Sequence, residues 1–171
     1  MKFIIGFILG IVVLCAAVYC YFAFGFAPVA TASGPLPLEV KLTHMALDAK
    51  ISREAPKSNA YQASDADLQN AAHLYHQHCA VCHGLPDGVE SATEKGMFPK
   101  PPLLLHGKGV TDDPAGETYW KTKNGIRLTG MPAFGGTLSE KEMWSLSELL
   151  AGADKLSANV LAILNQPLQA Q

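Results

Sequence analysis

The stretch HLYHQHCAVCHGLPDG, residues 73–88, holds four of the six histidines and two of the four cysteines of a 171-residue chain. Its two thiols, Cys79 and Cys82, are separated by two residues, and His83 follows directly. A CxxC pair of this kind occurs in zinc sites, in redox-active dithiols and at covalent haem attachment points. The rest of the sequence has to distinguish these three chemistries.

Two of the three chemistries find little support elsewhere in the chain. His76, Cys79, Cys82 and His83 could form a local zinc site, since the first, second and fourth lie at helical spacings of three and four. Structural zinc sites usually join two ligand pairs that are distant in sequence, and no second pair of that kind is present. A redox dithiol is expected in a βαβ context, and no alternating strand precedes the motif. Haem attachment is therefore favoured.

A second candidate ligand lies in the stretch GMPAFGG, where Met131 follows His83 by 48 residues. Two thiols three residues apart can reach both vinyl groups of a haem, and the next residue then lies beneath the iron. A thioether is a soft ligand for haem iron, and opposite a histidine it raises the reduction potential. Met97 is the runner-up, because Met45 precedes the predicted domain and Met143 lies within a predicted helix.

Three helices are predicted around these motifs from capping residues and apolar periodicity. The first and third begin with capping boxes, Ser64 with Asp67 and Ser139 with Glu142. The second is predicted to begin at Asp113-Pro114, with the aspartate as N-cap and the proline at the first helical position. The three helices are expected over residues 65–78, 113–124 and 140–151, the last two ending at Gly125 and Gly152.

In this order, CAVCHG, KNGIRLTGMPAFGG and LSEKEMWSLSELLA resemble the class I c-type cytochromes, over about residues 64–151. The resemblance implies an all-α cytochrome c fold in which three main helices surround one covalently bound haem c. It also implies thioether bonds from Cys79 and Cys82 and axial bonds from His83 and Met131 to the haem iron.

Two details of the resemblance concern residues outside the ligand set. In FPKPPLLL, residues 98–105, the carbonyl of Pro101 or Pro102 is expected to orient the proximal histidine through its other ring nitrogen. The family often has a glycine where Ala71 stands and an aromatic residue where Leu149 stands. Alanine still permits close approach of the first and last helices, so the packing is expected to adjust.

The N-terminal segment is predicted to be a membrane anchor. Residues 3–32 carry no charge, and 25 apolar residues would span about 38 Å as a helix. That run is too long for the apolar core of a signal peptide cut after Ala-Thr-Ala at 30–32, which is usually about 7–15 residues. Lys2 favours a cytoplasmic N-terminus. The haem domain is then expected in the periplasm, on a single-pass protein of a bacterial inner membrane.

The remainder of the chain divides by composition and charge. We predict an anchor or uncleaved signal at 1–32, a juxtamembrane linker at 33–63, a cytochrome c domain at 64–152 and a tail with a short helix at 153–171. After residue 32 there are 12 Lys and Arg against 15 Asp and Glu, which does not favour nucleic acid. Between Lys95 and Arg127, however, six basic residues face three acidic ones.

Several other polar and aromatic residues receive structural interpretations. The helix-face histidines are His73, His76 and His78, and His106 is expected at the surface or near a haem propionate. Core or haem-pocket positions are expected for Tyr119, Trp120, Ile126, Leu128 and Phe134. A propionate would accept hydrogen bonds from Tyr119, Trp120 or Arg127.

Together these features predict a membrane-anchored mono-haem cytochrome that transfers single electrons. Its expected partners are redox proteins, such as a membrane oxidase, a cytochrome bc1-type complex or a dehydrogenase. Because His83 and Met131 would fill both axial positions, we predict no catalysis and no small-molecule substrate. Two alternatives stay open: an electron-accepting subunit of a larger dehydrogenase or oxidase, and a gas or redox sensor with a displaceable Met131.

Overall fold

A computed structural model of the chain describes residues 2–58, 61–107 and 110–168. These residues form helices and loops without any strand, which confirms the all-α prediction. The chain divides into two compact units, Met1–Val40 and Lys41–Gln171. The helices are α1 (Lys2–Ala23), α2 (Glu39–Glu54), α3 (Asp65–His78), α4 (Ala80–His83), α5 (Ala92–Lys95), α6 (Ala115–Asn124), α7 (Glu140–Ala151) and α8 (Ala158–Leu164), with a 3₁₀ turn at Ala153–Lys155.

The N-terminal helix α1 is long and apolar enough to cross a membrane by its length and composition. Its 22 residues span about 33 Å, close to the thickness of a bilayer core. None of its side chains is buried within the protein. The helix ends earlier than the apolar run does, because Gly25 adopts a left-handed φ of +73° that breaks the helical repeat.

The core of the second unit lies between α3 and α7, with α6 packed against α7 and α8 packed against α3. Ala71 and Tyr75 of α3 and Leu149 of α7 are completely buried in this core. The small side chain of Ala71 allows the two helices to approach closely.

The predicted starts of the helices are correct for two and wrong for one. Ser64 and Ser139 form capping boxes with Asp67 and Glu142, respectively, so α3 and α7 begin where predicted. Asp113 does not cap α6, because its carboxylate forms an ion pair with Lys121 instead. Pro114 is the N-cap residue of α6 and makes no side-chain capping bond.

The last turn of α2 belongs to the packed second unit. Ile51 and Ala55 are buried, and the indole Nε1 of Trp120 donates a hydrogen bond to a carboxylate oxygen of Glu54 at 3.3 Å. At Gly116, an added Cβ would lie 2.0 Å from the carbonyl oxygen of Pro56, so this crossing requires glycine. The C-terminal end of the segment that precedes the cytochrome domain is therefore packed against α6.

The C-terminal helix α8 also contributes to the core. Val160 and Leu164 are completely buried against α3. The Nε2 atom of His76 lies 3.2 Å from the carbonyl oxygen of Leu164, within hydrogen-bonding distance. A helix-face histidine thus links α3 and α8.

Candidate functional site

The CAVCH motif forms the short helix α4, which directly continues α3. Cys79 is the C-cap residue of α3 and the N-cap residue of α4, so α3 fixes the position of the motif. Gly84 ends α4 with a φ of +70°, and an added Cβ there would lie 2.6 Å from a side-chain carbon of Leu103. Glycine at this point lets the following loop turn close to the motif.

The imidazole of His83 is oriented by the loop that follows the motif. Its Nδ1 lies 2.8 Å from the carbonyl oxygen of Pro102 and donates a hydrogen bond to it when that nitrogen carries the proton. This contact selects Pro102 over Pro101 as the orienting residue. Burial lowers the pKa of His83, which favours the neutral ring. A neutral imidazole held through Nδ1 keeps Nε2 available for a metal.

Tyr75 fixes the backbone on the other side of the motif. Its phenolic hydroxyl lies 2.8 Å from the carbonyl oxygen of Gly84 and 3.2 Å from that of His83. The side chain is completely buried, and burial raises the pKa of its hydroxyl. The hydroxyl therefore remains a hydrogen-bond donor to the end of α4.

The two thiols of the motif do not have the properties of a redox dithiol or of a zinc site. Burial raises the pKa of Cys79 to about 12, and it also raises the pKa of Cys82. Reactive CxxC thiols have lowered pKa values instead. Among residues 2–58, 61–107 and 110–168, no three His, Cys, Asp or Glu side chains converge to hold a metal ion.

Met131 lies in a loop closed by hydrogen bonds between its own residues. The amide of Ile126 donates to the carbonyl oxygen of Met131 at 3.2 Å. The hydroxyl of Thr129 donates to the carbonyl oxygen of Ile126 at 2.7 Å and accepts from the amide of Met131 at 3.1 Å. These bonds set the backbone of Met131 without any regular secondary structure.

The Met131 loop is attached to the end of α6 through Gly125. This residue has a φ of +65°, and an added Cβ would lie 2.7 Å from the amide nitrogen of Ala133 and 2.9 Å from the carbonyl oxygen of Met131. Farther along, the amide of Phe134 donates to the carbonyl oxygen of Thr122 at 3.0 Å. Gly125, where α6 was predicted to end, therefore also allows the Met131 loop to fold back on the end of this helix.

The runner-up methionine, Met97, packs on the same loop. A Cβ added to Gly130 would lie 2.1 Å from the Cε atom of Met97, so the thioether side chain of Met97 covers this glycine.

The four candidate ligands lie in two places. Cys79, Cys82 and His83 lie together along α4, and Met131 lies in a separate loop.

Tyr119 lies in the core, one of the two positions predicted for it, where it donates to a carboxylate oxygen of Glu140 at 3.3 Å and stacks on Trp144. The indole of Trp120 donates to Glu54 of α2. Leu128, predicted for the core or the haem pocket, does not lie in the core, because its side chain is 91% exposed. Its φ is +61°, in the left-handed region.

Sequence reasoning missed one buried charged residue near the motif, Glu94. Its side chain is 0% exposed, although α5 is only four residues long. The one available signal was the spacing of Ser91 and Glu94, which resembles a capping box and indicates a helix start. Ser91 does cap α5, but the Glu94 carboxylate points into the protein.

The residues present fit a covalently bound haem. Two thiols with a spacing that matches the vinyl groups, a neutral imidazole with a free Nε2 and a thioether in a closed loop are the donor set of a His/Met-ligated c-type haem. Pro102 orients the imidazole of His83, and Tyr75 holds the backbone at the end of α4.

Comparison with known proteins finds one matching family. Residues 66–150 match the model of the family described as cytochrome c oxidase, cbb3-type, subunit III. No curated protein and no solved structure matches the chain. The matched residues extend through α3 to α7 and include both the CAVCH motif and the Met131 loop. They form a class I c-type cytochrome domain, and the protein is a haem protein of electron transfer.

Proposed function

We propose that the protein is a membrane-anchored, mono-haem c-type cytochrome that carries single electrons between membrane-bound redox partners. Cys79 and Cys82 hold the haem by thioether bonds, and His83 and Met131 are its axial ligands. The hydrogen bond from His83 to the carbonyl oxygen of Pro102 carries this proposal, because it prepares the imidazole for metal binding through Nε2. The haem domain lies on the periplasmic side of a bacterial inner membrane, with α1 as the anchor.

When bound, the haem supplies a one-electron couple between ferric and ferrous iron. Pro102 would keep the imidazole ring of His83 from rotating, and the closed loop would keep Met131 in place. With His83 and Met131 both bound, a haem iron would have no site for a substrate. This ligand set supports the proposal of an electron carrier.

The surface next to the Met131 loop supports docking of a protein partner. Of the six basic residues between 95 and 127, three are neutralised by ion pairs: Lys100, Lys121 and Lys123. Lys108 lies outside the described residues, so the described basic residues without an ion pair are Lys95 and Arg127. Leu128, next to Arg127, is 91% exposed and adds an apolar side chain to this surface. An apolar contact with a few basic charges suits a partner with an acidic rim.

A second candidate function is that of an electron-accepting subunit in a larger oxidase or dehydrogenase. The description of the matched family, which names an oxidase subunit, favours this candidate. The haem chemistry is the same in both cases, and only the stability of the association differs. Purification from native membranes in mild detergent separates them: a carrier elutes alone, and a subunit elutes with its complex.

The covalent attachment is tested by denaturing the haem-loaded full chain in acidified organic solvent. We expect the haem to remain with the polypeptide in the wild type and in Cys15→Ser/Cys20→Ser, since those thiols lie in α1. We expect the Cys79→Ser/Cys82→Ser protein to lose it. Release of haem from the wild type would contradict the proposed function.

A further inference from the structure

A buried carboxylate lies next to the segment that carries His83. Glu94 belongs to α5, which packs against α4. Ser91 joins the two helices, because its hydroxyl donates to the carbonyl oxygen of Val81 at 2.5 Å and accepts from the amide of Glu94 at 3.0 Å. The side chain of Glu94 is therefore held on the side of α5 that is covered by the protein.

The carboxylate of Glu94 lacks the partners that a buried charge normally has. Neither oxygen accepts a hydrogen bond within the described parts of the chain. Its one ion-pair partner there is Lys100, whose Nζ lies 3.9 Å from Oε1. The same ammonium also pairs with the more exposed Glu90. Two carboxylates share one lysine, so this group has a net charge of about minus one when all three are ionised.

The same region contains the hydrogen bond that orients the proximal histidine. A cavity of about 420 Å³ is lined by Glu94, Lys100 and Pro102, among other residues. The carbonyl of Pro102 accepts the hydrogen bond of His83. Glu94 and the backbone carbonyl that orients His83 thus line the same cavity.

We infer that the carboxylate of Glu94, held against α4, lowers the reduction potential of the haem bound to His83. Ferric haem carries one more positive charge than ferrous haem, so a nearby anion stabilises the ferric form more. The interaction is strong because few water molecules surround a buried charge. Glu94 would therefore oppose Met131, which raises the potential. This inference rests on the proposed function, since it requires a haem at His83.

The test is a spectroelectrochemical titration of the haem-loaded full chain in detergent at neutral pH. Glu94→Gln keeps the size of the side chain and removes the charge, and we expect the midpoint potential to shift upward. Glu90→Gln is the matched control, because it removes a carboxylate that shares the same lysine at a more exposed position. Screening by water should make its shift clearly smaller.

An unchanged potential in Glu94→Gln, or a shift no larger than that of Glu90→Gln, would overturn the inference. Glu94→Met provides a second uncharged variant if the buried amide prevents folding. If neither variant retains haem, Lys100→Gln is compared with Lys95→Gln, which removes a lysine without an ion pair to Glu94. We expect the larger downward shift in Lys100→Gln, and equal shifts would also overturn the inference.

The outcome can be separated from that of the proposed function. Denaturation in acidified solvent and the visible spectrum are recorded for each variant before the titration. Loss of haem from the wild type would overturn both proposals. An intact spectrum in Glu94→Gln together with an unshifted potential would overturn only the role of Glu94.

Discussion

The two segments that carry the candidate axial ligands are stabilised in different ways. His83 lies at the end of a helical segment that begins in α3; its ring nitrogen Nδ1 is within hydrogen-bonding distance of the Pro102 carbonyl oxygen, and the Tyr75 hydroxyl donates to the carbonyl oxygens of His83 and Gly84. Met131 lies in an irregular loop, closed by Thr129 and by the conformation of Gly125. The proximal ligand is thus part of the helical core, and the distal ligand depends on loop closure. Substitutions should affect the distal ligand first.

The largest effect is expected from removing the distal thioether. Met131→Ala should abolish the sulfur-to-iron charge-transfer band of the ferric form and lower the potential, because the soft ligand that favours ferrous iron is lost. Met97→Ala is the matched control, since Met97 packs on Gly130 in the same loop. Absorption spectra of the two variants check this prediction. Survival of the band in Met131→Ala, with loss in Met97→Ala, would assign the ligand role to Met97.

The next largest effect tests the closure of the distal loop. Gly125→Ala should destabilise the protein by about 1–3 kcal/mol, since the position has a left-handed φ and its Cβ would meet backbone atoms of the loop. Gly136→Ala is the control, because nothing lies within 4 Å of its Cβ and its φ is not left-handed. Denaturant unfolding of both variants measures the difference. Equal stabilities would show that the loop relaxes without cost.

A smaller effect is expected at the proximal side. Tyr75→Phe removes the hydroxyl that donates to the carbonyl oxygens of Gly84 and His83. It should lower the free energy of unfolding by about 1–2 kcal/mol, since the carbonyl oxygen of Gly84 loses its partner while that of His83 keeps the amide of Leu104. The charge-transfer band should remain, because the distal loop is unaffected. If the band disappeared in Tyr75→Phe, the two ligand segments would not be independent.

The smallest effect concerns the start of the helix that leads to the proximal motif. A hydrogen bond from Lys141, followed by Ser64, holds the pKa of Asp67 well below its usual range. Because the pKa is lower in the folded state, this contribution is complete above the unfolded-state pKa, about 4, and is lost progressively as the pH falls from there towards the folded-state pKa. Asp67→Asn should therefore lower stability most at pH 7 and lower it less at pH 2–3. Urea midpoints at both pH values, with Asp112→Asn as an exposed control, measure this; an equal loss at both pH values would contradict it.

Local sequence rules predicted the helical frame well. Ser64 and Ser139 start α3 and α7 as expected, because a serine with an acidic residue three positions later satisfies the first amides of a helix within one turn. The start of α6 was predicted incorrectly, because Asp113 has a competing partner, Lys121, eight residues away. A capping rule considers only neighbouring residues and cannot anticipate such a competitor.

The candidate site was predicted from residue types, but its surroundings were not. Which proline orients His83, the outward direction of Leu128 and the burial of Glu94 all depend on how loops fold over α4 and α6. These loops have no periodic pattern, so their residues carry no signal of burial or direction. The positive φ of Leu128 is an example, since leucine does not favour that conformation.

The sequence by itself determined the chemistry: the spacing of Cys79, Cys82 and His83 and the Gly-Met-Pro turn at Met131 indicate a His/Met-ligated c-type haem. It could do so because the shape of the haem imposes that spacing on consecutive residues. Only the tertiary structure decided the environment of those ligands, including the hydrogen bond to Pro102 and the buried charge of Glu94. These features arise from contacts between residues that are distant in sequence or from the fold of irregular loops, where side-chain direction follows packing.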